Sequence, residues 1–257
     1  MMPIAPKTIL ITGATGAIGS ALANYYAKLG ISLILQGRNE EILAELAETL
    51  AASGASVTTK RLDLRDISAL REWLSELAAQ QLPDLVIANA GININHGSDR
   101  RGEQWEEMDA LLDINIKSTL ALVNALIPAM RQRRSGQIAL ISSLAAYYGL
   151  PVTPTYSASK AALKAYGEGM RGWLKRDNVQ INVVMPGYIE SDMATAMPGP
   201  KPFVWTPERA AKTIAQGLAK NQARISFPFP LNFGTWFLAV LPAQMSQKIL
   251  AFIGYKG

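Results

Sequence analysis

KTILITGATGAIG, residues 7–19, decides the fold. Lys7 to Thr12 is a short apolar run rich in β-branched residues, and it stops at a glycine turn. Helical periodicity follows from about Ile18 to Leu29. The product is strand–turn–helix, the setting in which a glycine-rich loop cradles a pyrophosphate. The turn reads Thr12-Gly13-Ala14-Thr15-Gly16-Ala17-Ile18-Gly19. Glycines let backbone approach a phosphate, and the first N–H groups of the helix supply donors. Such a turn can also merely join two elements. Its place directly after the first strand favours the binding reading.

The same alternation continues along the chain. Strands are expected at Ser32–Leu35, Val57–Leu62, Leu85–Ala88, Gln137–Ile141, Val179–Met185 and Arg224–Phe227. Helices are expected at Glu40–Ala52, from Asp66 as N-cap to about Gln80, and from about Glu103 to Arg133 with a bend before Pro128. A further helix carries Tyr156, and another opens at Thr206-Pro207-Glu208, with Thr as N-cap and Pro at the first position. No linker, repeat or low-complexity tract interrupts the pattern. It predicts an α/β fold, a doubly wound Rossmann-type parallel sheet of about seven strands flanked by helices, in a single domain.

Chemistry-bearing residues gather at the carboxyl ends of these strands, where open α/β sheets bind ligands. After the second strand comes Gln36-Gly37-Arg38-Asn39, with no carboxylate at the tip to bind a ribose 2′-hydroxyl and repel a 2′-phosphate. Arg38 is placed to receive that phosphate, so NADP(H) is expected over NAD(H); the alternative is a solvated loop cation. Asp63-Leu64 end the third strand, where Asp63 can meet an adenine amino group. Asn89-Ala90-Gly91 end the fourth. His96, in the polar loop Ile92–Arg101, reads as a solvated residue. Asn115, among Leu111, Leu112, Ile114 and Ile116, is either a core hydrogen bonder or a holder of water.

The fifth strand delivers Ser142 and Ser143 at the start of ISSLAAYYGLPVTPTYSASKAAL, residues 141–163. Tyr156 and Lys160 stand four apart, on one helical face. A phenol is a poor acid or base at neutral pH, and a nearby cation lowers its pKa. The pair therefore offers acid/base chemistry without histidine or metal. The sixth strand ends in Pro186-Gly187-Tyr188-Ile189-Glu190-Ser191.

Bulk composition narrows the classes. The chain has 257 residues, 49% of them hydrophobic, enough for a large core. With no cysteine and a single histidine, Cys/His zinc sites and disulfides are excluded, and no metal site is expected. The net charge of +5 is scattered apart from Arg131, Arg133 and Arg134 near a helix end, so no nucleic-acid partner is expected. The N-terminus lacks a signal-peptide core, and no stretch reaches about 18 unbroken apolar residues. A cytoplasmic location is expected, with peripheral membrane association the alternative.

Taken together, these stretches resemble the short-chain dehydrogenase/reductase family in its compact single-domain branch, over roughly residues 7–227. The family's TGxxxGxG turn, NAG strand end, helical Asn, Ser, YxxxK and PG turn fall on Thr12–Gly19, Asn89–Gly91, Asn115, Ser143, Tyr156 with Lys160, and Pro186-Gly187. Two positions depart from it. Ala17 replaces a glycine, so that Gly13, Gly16 and Gly19 take a spacing found in the extended branch; Ser191 stands where Thr is common. The resemblance implies an oxidoreductase interconverting a ketone or aldehyde and an alcohol. Tyr156 would act as acid or base and Ser143 would bond the carbonyl oxygen. Lys160 would lower the Tyr156 pKa and bind ribose, and Asn115 would hold a water on a proton path. Cofactor contacts would come from Gly13, Thr15, Gly16, Ala17, Ile18, Gly19, Arg38, Asp63, Leu64, Asn89, Ala90, Gly91, Tyr156, Lys160, Pro186, Gly187, Ile189 and Ser191. Ser142 is the alternative to Ser143 in bonding the carbonyl oxygen, with a structural role the favoured reading for it. A family-related epimerase or isomerase and a non-catalytic dinucleotide sensor are the rival readings.

Residues 192–206 are expected to cover the site. Met193, Met197, Phe203 and Trp205 would line an apolar pocket with Tyr147, Tyr148, Leu150 and Tyr188, which favours a hydrophobic small-molecule carbonyl or alcohol. Residues 1–227 then form the catalytic part and 228–257 an apolar extension of the same domain. That tail is expected to meet a partner subunit in a homodimer or homotetramer, with membrane contact the alternative.

Overall fold

The computed structural model describes residues 6–28, 30–95 and 102–255. His96 and most of its loop lie outside the described residues. Seven parallel strands form one sheet in the order β3-β2-β1-β4-β5-β6-β7. They are β1 Thr8–Thr12, β2 Ser32–Gly37, β3 Ser56–Arg61, β4 Leu85–Ala88, β5 Gly136–Ile141, β6 Val179–Pro186 and β7 Arg224–Phe227. The predicted fold class is borne out. The chain winds outward from β1 to β3, then returns to place β4 on the other side of β1, with Ile9 paired to both Leu33 and Leu85. That reversal opens a crevice beyond the carboxyl ends of β1 and β4.

Helices cover both faces because alternate strand residues point to opposite sides. Ile9 and Ile11 join Leu22, Leu33, Leu35 and Ile214 in one core layer. Leu10 joins Ile34, Leu70, Leu74, Val86 and Leu126 in the other. The first layer packs against α1 (Ala17–Tyr26), α2 (Glu40–Ala51) and α8 (Pro207–Ala219); the second packs against α3 (Ile67–Gln80) and α5 (Ser118–Arg133). The expected N-caps hold: Asp66 accepts from Ala69 N–H at 2.9 Å and Thr206 from Arg209 N–H at 3.3 Å.

Three elements differ from the sequence reading. α1 stops at Tyr26, short of Leu29, because Ala27 turns to extended geometry (ψ 95°) on the way to Gly30 at φ 84°. β2 runs on through Gln36, which is 1% exposed yet hydrogen-bonded at both ends of its amide. The long helix is two, α4 (Trp105–Leu112) and α5, joined by a π-helical turn at Asp113–Lys117 that contains Asn115, and α5 continues through Pro128. By length and composition alone the stretch Trp105–Arg133 would cross a membrane; half of it is buried, and it packs in the core.

The catalytic-segment helix is α6, Pro154–Trp173, and a short α7, Asp192–Ala196, follows β6. Beyond β7 the tail forms α9, Leu231–Val240, and α10, Ala243–Phe252, pinned together where the Ser246 hydroxyl donates to Leu238 C=O at 2.7 Å. Leu238, Leu250 and Tyr255 pack on Val152 and Met197. The tail thus packs over its own chain's cleft. Apolar residues at the helix spacing found their nearest apolar partner, the segment that follows β6.

Candidate active site

The glycine turn is fixed by three polar groups. The Thr12 hydroxyl accepts from Asn89 and Ala90 N–H at 3.1 and 3.2 Å. Asn89 returns its amide N–H to the Thr12 and Gly13 carbonyls at 3.1 and 3.0 Å. Gln36 accepts from Gly13 N–H at 3.0 Å and donates to Leu62 C=O at 2.7 Å, tying the turn to the end of β3. Gly13 has φ +61°, and a Cβ there would stand 2.8 Å from the Ala90 backbone. A Cβ on Gly19 would fall 2.3 Å from the Gly13 carbonyl, and Gly19 does not line the cavity. Gly19 thus packs inside the turn, where only a glycine fits.

α1 begins at Gly16 with no side-chain cap. Its first N–H groups and dipole face a cavity of about 840 Å³, lined here by Gly13, Thr15, Gly16, Ala17 and Ile18. The cavity runs past Gly37, Arg38, Asp63 and Leu64, then past Asn89, Ala90 and Gly91, to Ser143, Tyr156 and Lys160. Pro186, Gly187, Ile189 and Ser191 close its far side. This shape suits a dinucleotide: an uncapped helix end for the pyrophosphate, an exposed cation beyond β2, and a cradle at Gly91. An added Cβ at Gly91 would come within 3.2 Å of both Asn115 Oδ1 and Lys160 Nζ. Arg38 is exposed and makes no hydrogen bond or ion pair among the described residues. Asp63 is gripped by Arg65, with Nη2–Oδ2 at 2.6 Å, and that hydrogen bond holds its carboxyl below the usual range.

At the deep end, Lys160 is 4% exposed and its ammonium donates to Ile141 C=O at 2.9 Å. Burial lowers its pKa to about 8. Nζ stands 5.5 Å over the Tyr156 ring. Burial raises the Tyr156 pKa, and a hydrogen bond with the Ser143 hydroxyl opposes this. The lowering expected from Lys160 is not among the causes that shift the phenol here; the influence opposing burial comes from Ser143. Ser143 Oγ also accepts from Ala145 N–H at 3.2 Å, capping the tight turn Leu144–Ala146. Ser142 donates to Lys160 C=O at 2.7 Å, which makes it a structural strut.

Asn115, fully buried, accepts from Ile92 N–H at 2.8 Å and donates to Ile92 C=O and Ser159 Oγ, both at 3.0 Å. Its side chain is a core hydrogen bonder that pins the loop after β4, the first of its two sequence readings. The Ser191 hydroxyl is engaged as well, accepting from Ala194 N–H at the start of α7 and donating to Ile189 C=O, both at 3.1 Å.

The expected apolar wall is partly right. Tyr148, Leu150, Tyr188, Met193 and Met197 line the cavity. Phe203, Trp205 and Tyr147 do not: Trp205 stacks on Phe227 at 5.0 Å and has the Arg209 guanidinium 3.9 Å over its ring, Phe203 is exposed, and Tyr147 packs on the Leu144–Met185 cluster. In their place stand Leu231, Phe237, Leu238, Leu250 and Tyr255 from the tail. Sequence reasoning also missed Glu103, whose carboxylate accepts from Thr155 N–H at 3.1 Å and from its hydroxyl, capping α6 from a distance. No local signal marks Glu103, because its partner lies 52 residues away.

A family model described as short chain dehydrogenase matches residues 7–200. An uncharacterized oxidoreductase of Myxococcus xanthus is 31% identical over 243 residues, covering 94% of this chain and 95% of that one. The 3-oxoacyl-[acyl-carrier-protein] reductase FabG of Rickettsia conorii is 35% identical over 193 residues, 75% of this chain and 77% of that one. Among solved structures, a short-chain dehydrogenase from Sphingobium yanoikuyae in complex with NADPH superposes with a TM-score of 0.79 at 23% identity, covering 95% of each chain.

Proposed function

Because this chain belongs to the short-chain dehydrogenase/reductase family and is an oxidoreductase of that family, we propose that it interconverts a hydrophobic ketone or aldehyde and its alcohol with NADP(H). The observation that carries this reading is the meeting of Ser143, Tyr156 and Lys160 at the inner end of one cavity whose outer end is an uncapped helix N-terminus and whose far wall is apolar. The bound nicotinamide would supply or accept hydride. The residues of the chain supply the rest.

Tyr156 holds its proton at neutral pH, because burial favours the neutral phenol, and gives it to the carbonyl oxygen in reduction. Ser143 donates to the same oxygen as charge develops on it. Lys160, held by Ile141 C=O, brings a cation beside the phenolate that remains. Gly13, Gly16 and the first turn of α1 would hold the pyrophosphate. Arg38 would take a 2′-phosphate, and the absence of a carboxylate at the tip of β2 removes the group that would reject it. The NADPH bound by the Sphingobium protein supports the same choice. The leucine-, methionine- and tyrosine-rich wall favours an apolar substrate over a sugar.

The test is NADPH oxidation against a panel of hydrophobic ketones, run beside NADH. Turnover with NADPH and a loss of at least about a hundredfold in kcat for Tyr156→Phe are expected. If Tyr156→Phe kept most of the activity, the assigned acid would be wrong.

A further inference from the structure

The cavity does not end in protein. Its outer wall is the pair α9 and α10, and three residues of that wall, Phe237, Ile249 and Ile253, are also exposed, at 45%, 36% and 47%. The mouth of the chamber therefore opens onto the outer surface of the tail. That surface is apolar and aromatic. Phe229 is 79% exposed, Phe233 56%, Trp236 42% and Phe252 91%. Phe233 lies 5.6 Å from Trp236 and 6.2 Å from Phe237, ring to ring, so these three rings on α9 form one cluster. Of the ten residues of α9, only Leu238 is buried, and the helix carries no charge. An apolar patch of this kind marks an interaction surface rather than ordinary solvent-facing chain.

Two observations select the occupant. Residues 228–257 contain no Asp or Glu but two lysines, Lys248 and Lys256, so the segment is purely cationic. A second copy of the chain seated on the patch would bury Phe237, Ile249 and Ile253 and seal the mouth. A fluid apolar phase would not. At ten residues, α9 is about 15 Å long, too short to span a bilayer but long enough to lie in its interface.

We propose that α9 and α10 dock on an anionic lipid surface, with the Phe233–Trp236 cluster inserted at the headgroup boundary, and that the mouth they frame admits substrate directly from the lipid phase. On this proposal the lipid surface takes the place of the partner subunit expected to meet the tail. The route for substrate rests on the reading of the chamber as a carbonyl site; the docking does not.

The test separates the two. Wild type and a Phe233→Gln/Trp236→Gln/Phe252→Gln variant are floated with vesicles of phosphatidylcholine alone and of phosphatidylcholine mixed with phosphatidylglycerol. None of these three residues lines the cavity, so the variant is expected to keep its unfolding midpoint and its turnover of a short, water-soluble ketone. Wild type is expected to float with the mixed vesicles and less with the neutral ones. The variant is expected to lose vesicle binding by about tenfold or more and to lose turnover of a long-chain ketone supplied in vesicles. If wild type floats with neither vesicle, docking is overturned whatever the activity. If instead the variant falls to a smaller species in light scattering while wild type ignores vesicles, the patch belongs to a second copy. If docking holds but vesicle-borne ketone turns over equally in both proteins, the portal is overturned and docking stands.

Discussion

The hydroxyls of Tyr188 and Tyr255, 67 residues apart, are hydrogen-bonded to each other. Tyr255 spends its own proton on Pro200 C=O at 2.6 Å. Tyr188 must then be the donor to Tyr255, which leaves the Tyr188 oxygen free to accept. Burial raises the pKa of both, and the nearby Tyr156 adds to the effect on Tyr188, so both stay protonated through the neutral range. One residue near the end of the chain thus joins the segment after β6 to the tail and sets the polarity of a hydroxyl inside the chamber.

Tyr255→Phe removes the acceptor for Tyr188 and the donor for Pro200 together. A loss of about 1–3 kcal/mol in unfolding free energy is expected. KM for an apolar ketone should rise while the dissociation constant for NADPH stays put, because no atom of the pair touches the glycine turn. Isothermal titration with NADPH beside steady-state kinetics checks the split. A matching loss in both would show that the pair supports the whole cleft.

Lys160 carries a pH signature. Its folded pKa of about 8 lies below the ordinary 10.5 of a lysine. Between these values the unfolded chain binds more protons than the folded one, so stability rises as pH climbs through that window and is lost as pH falls through 8. Above about 10 the buried tyrosines, with raised pKa values, reverse the trend. Cofactor-free Lys160→Met should be more stable than wild type near neutral pH, by an amount on the order of 1–3 kcal/mol, and the gap should close towards pH 10. Denaturant melts at several pH values read it directly. A gap independent of pH would mean packing rather than charge.

Arg38, exposed just past β2 and lining the cavity, makes no hydrogen bond or ion pair among the described residues. Arg38→Ala is expected to weaken NADPH binding by about tenfold or more and to leave NADH within about twofold. Fluorescence titration of each reduced cofactor settles the matter. Equal losses for both would assign Arg38 to the shared part of the dinucleotide.

Glu103 caps the helix that carries Tyr156 and Lys160. Glu103→Ala leaves Thr155 N–H without its acceptor and should cost about 1–2 kcal/mol. Because the first turn of α6 holds Tyr156, kcat should fall further than NADPH affinity does. Glu103→Gln, which keeps an acceptor, should recover part of both.

Most of the sheet was legible in the sequence because its strands are short apolar runs stopped by polar or glycine-rich ends, and their order follows from alternation with helices. Ser143, Tyr156, Lys160, Arg38 and the glycine turn were legible as candidates because their spacing is local, and the structure brings them to one cavity. Gln36 was not, since a polar residue looks like the end of a strand until its two backbone partners are known. Glu103 and Tyr255 were invisible for the same reason: each acts on a residue dozens of positions away. The Asn115 turn escaped because its widening is set by where the side chain must reach, a tertiary demand that periodicity does not encode. Phe203 and Trp205 misled because large apolar residues in a covering segment can pack outward as readily as inward.

The order in which the chain leaves the ribosome gives the tail a further meaning. Every residue of the glycine turn, of β1 to β7 and of the Tyr156 helix emerges before Leu231, while the chamber's outer wall is the last described part to be made. The sheet and the Tyr156 helix are therefore synthesised before the segment that packs across their cleft. The chamber is thus a composite of early and late sequence, its glycine turn made more than two hundred residues before the tail residues Leu238, Leu250 and Tyr255 that wall it.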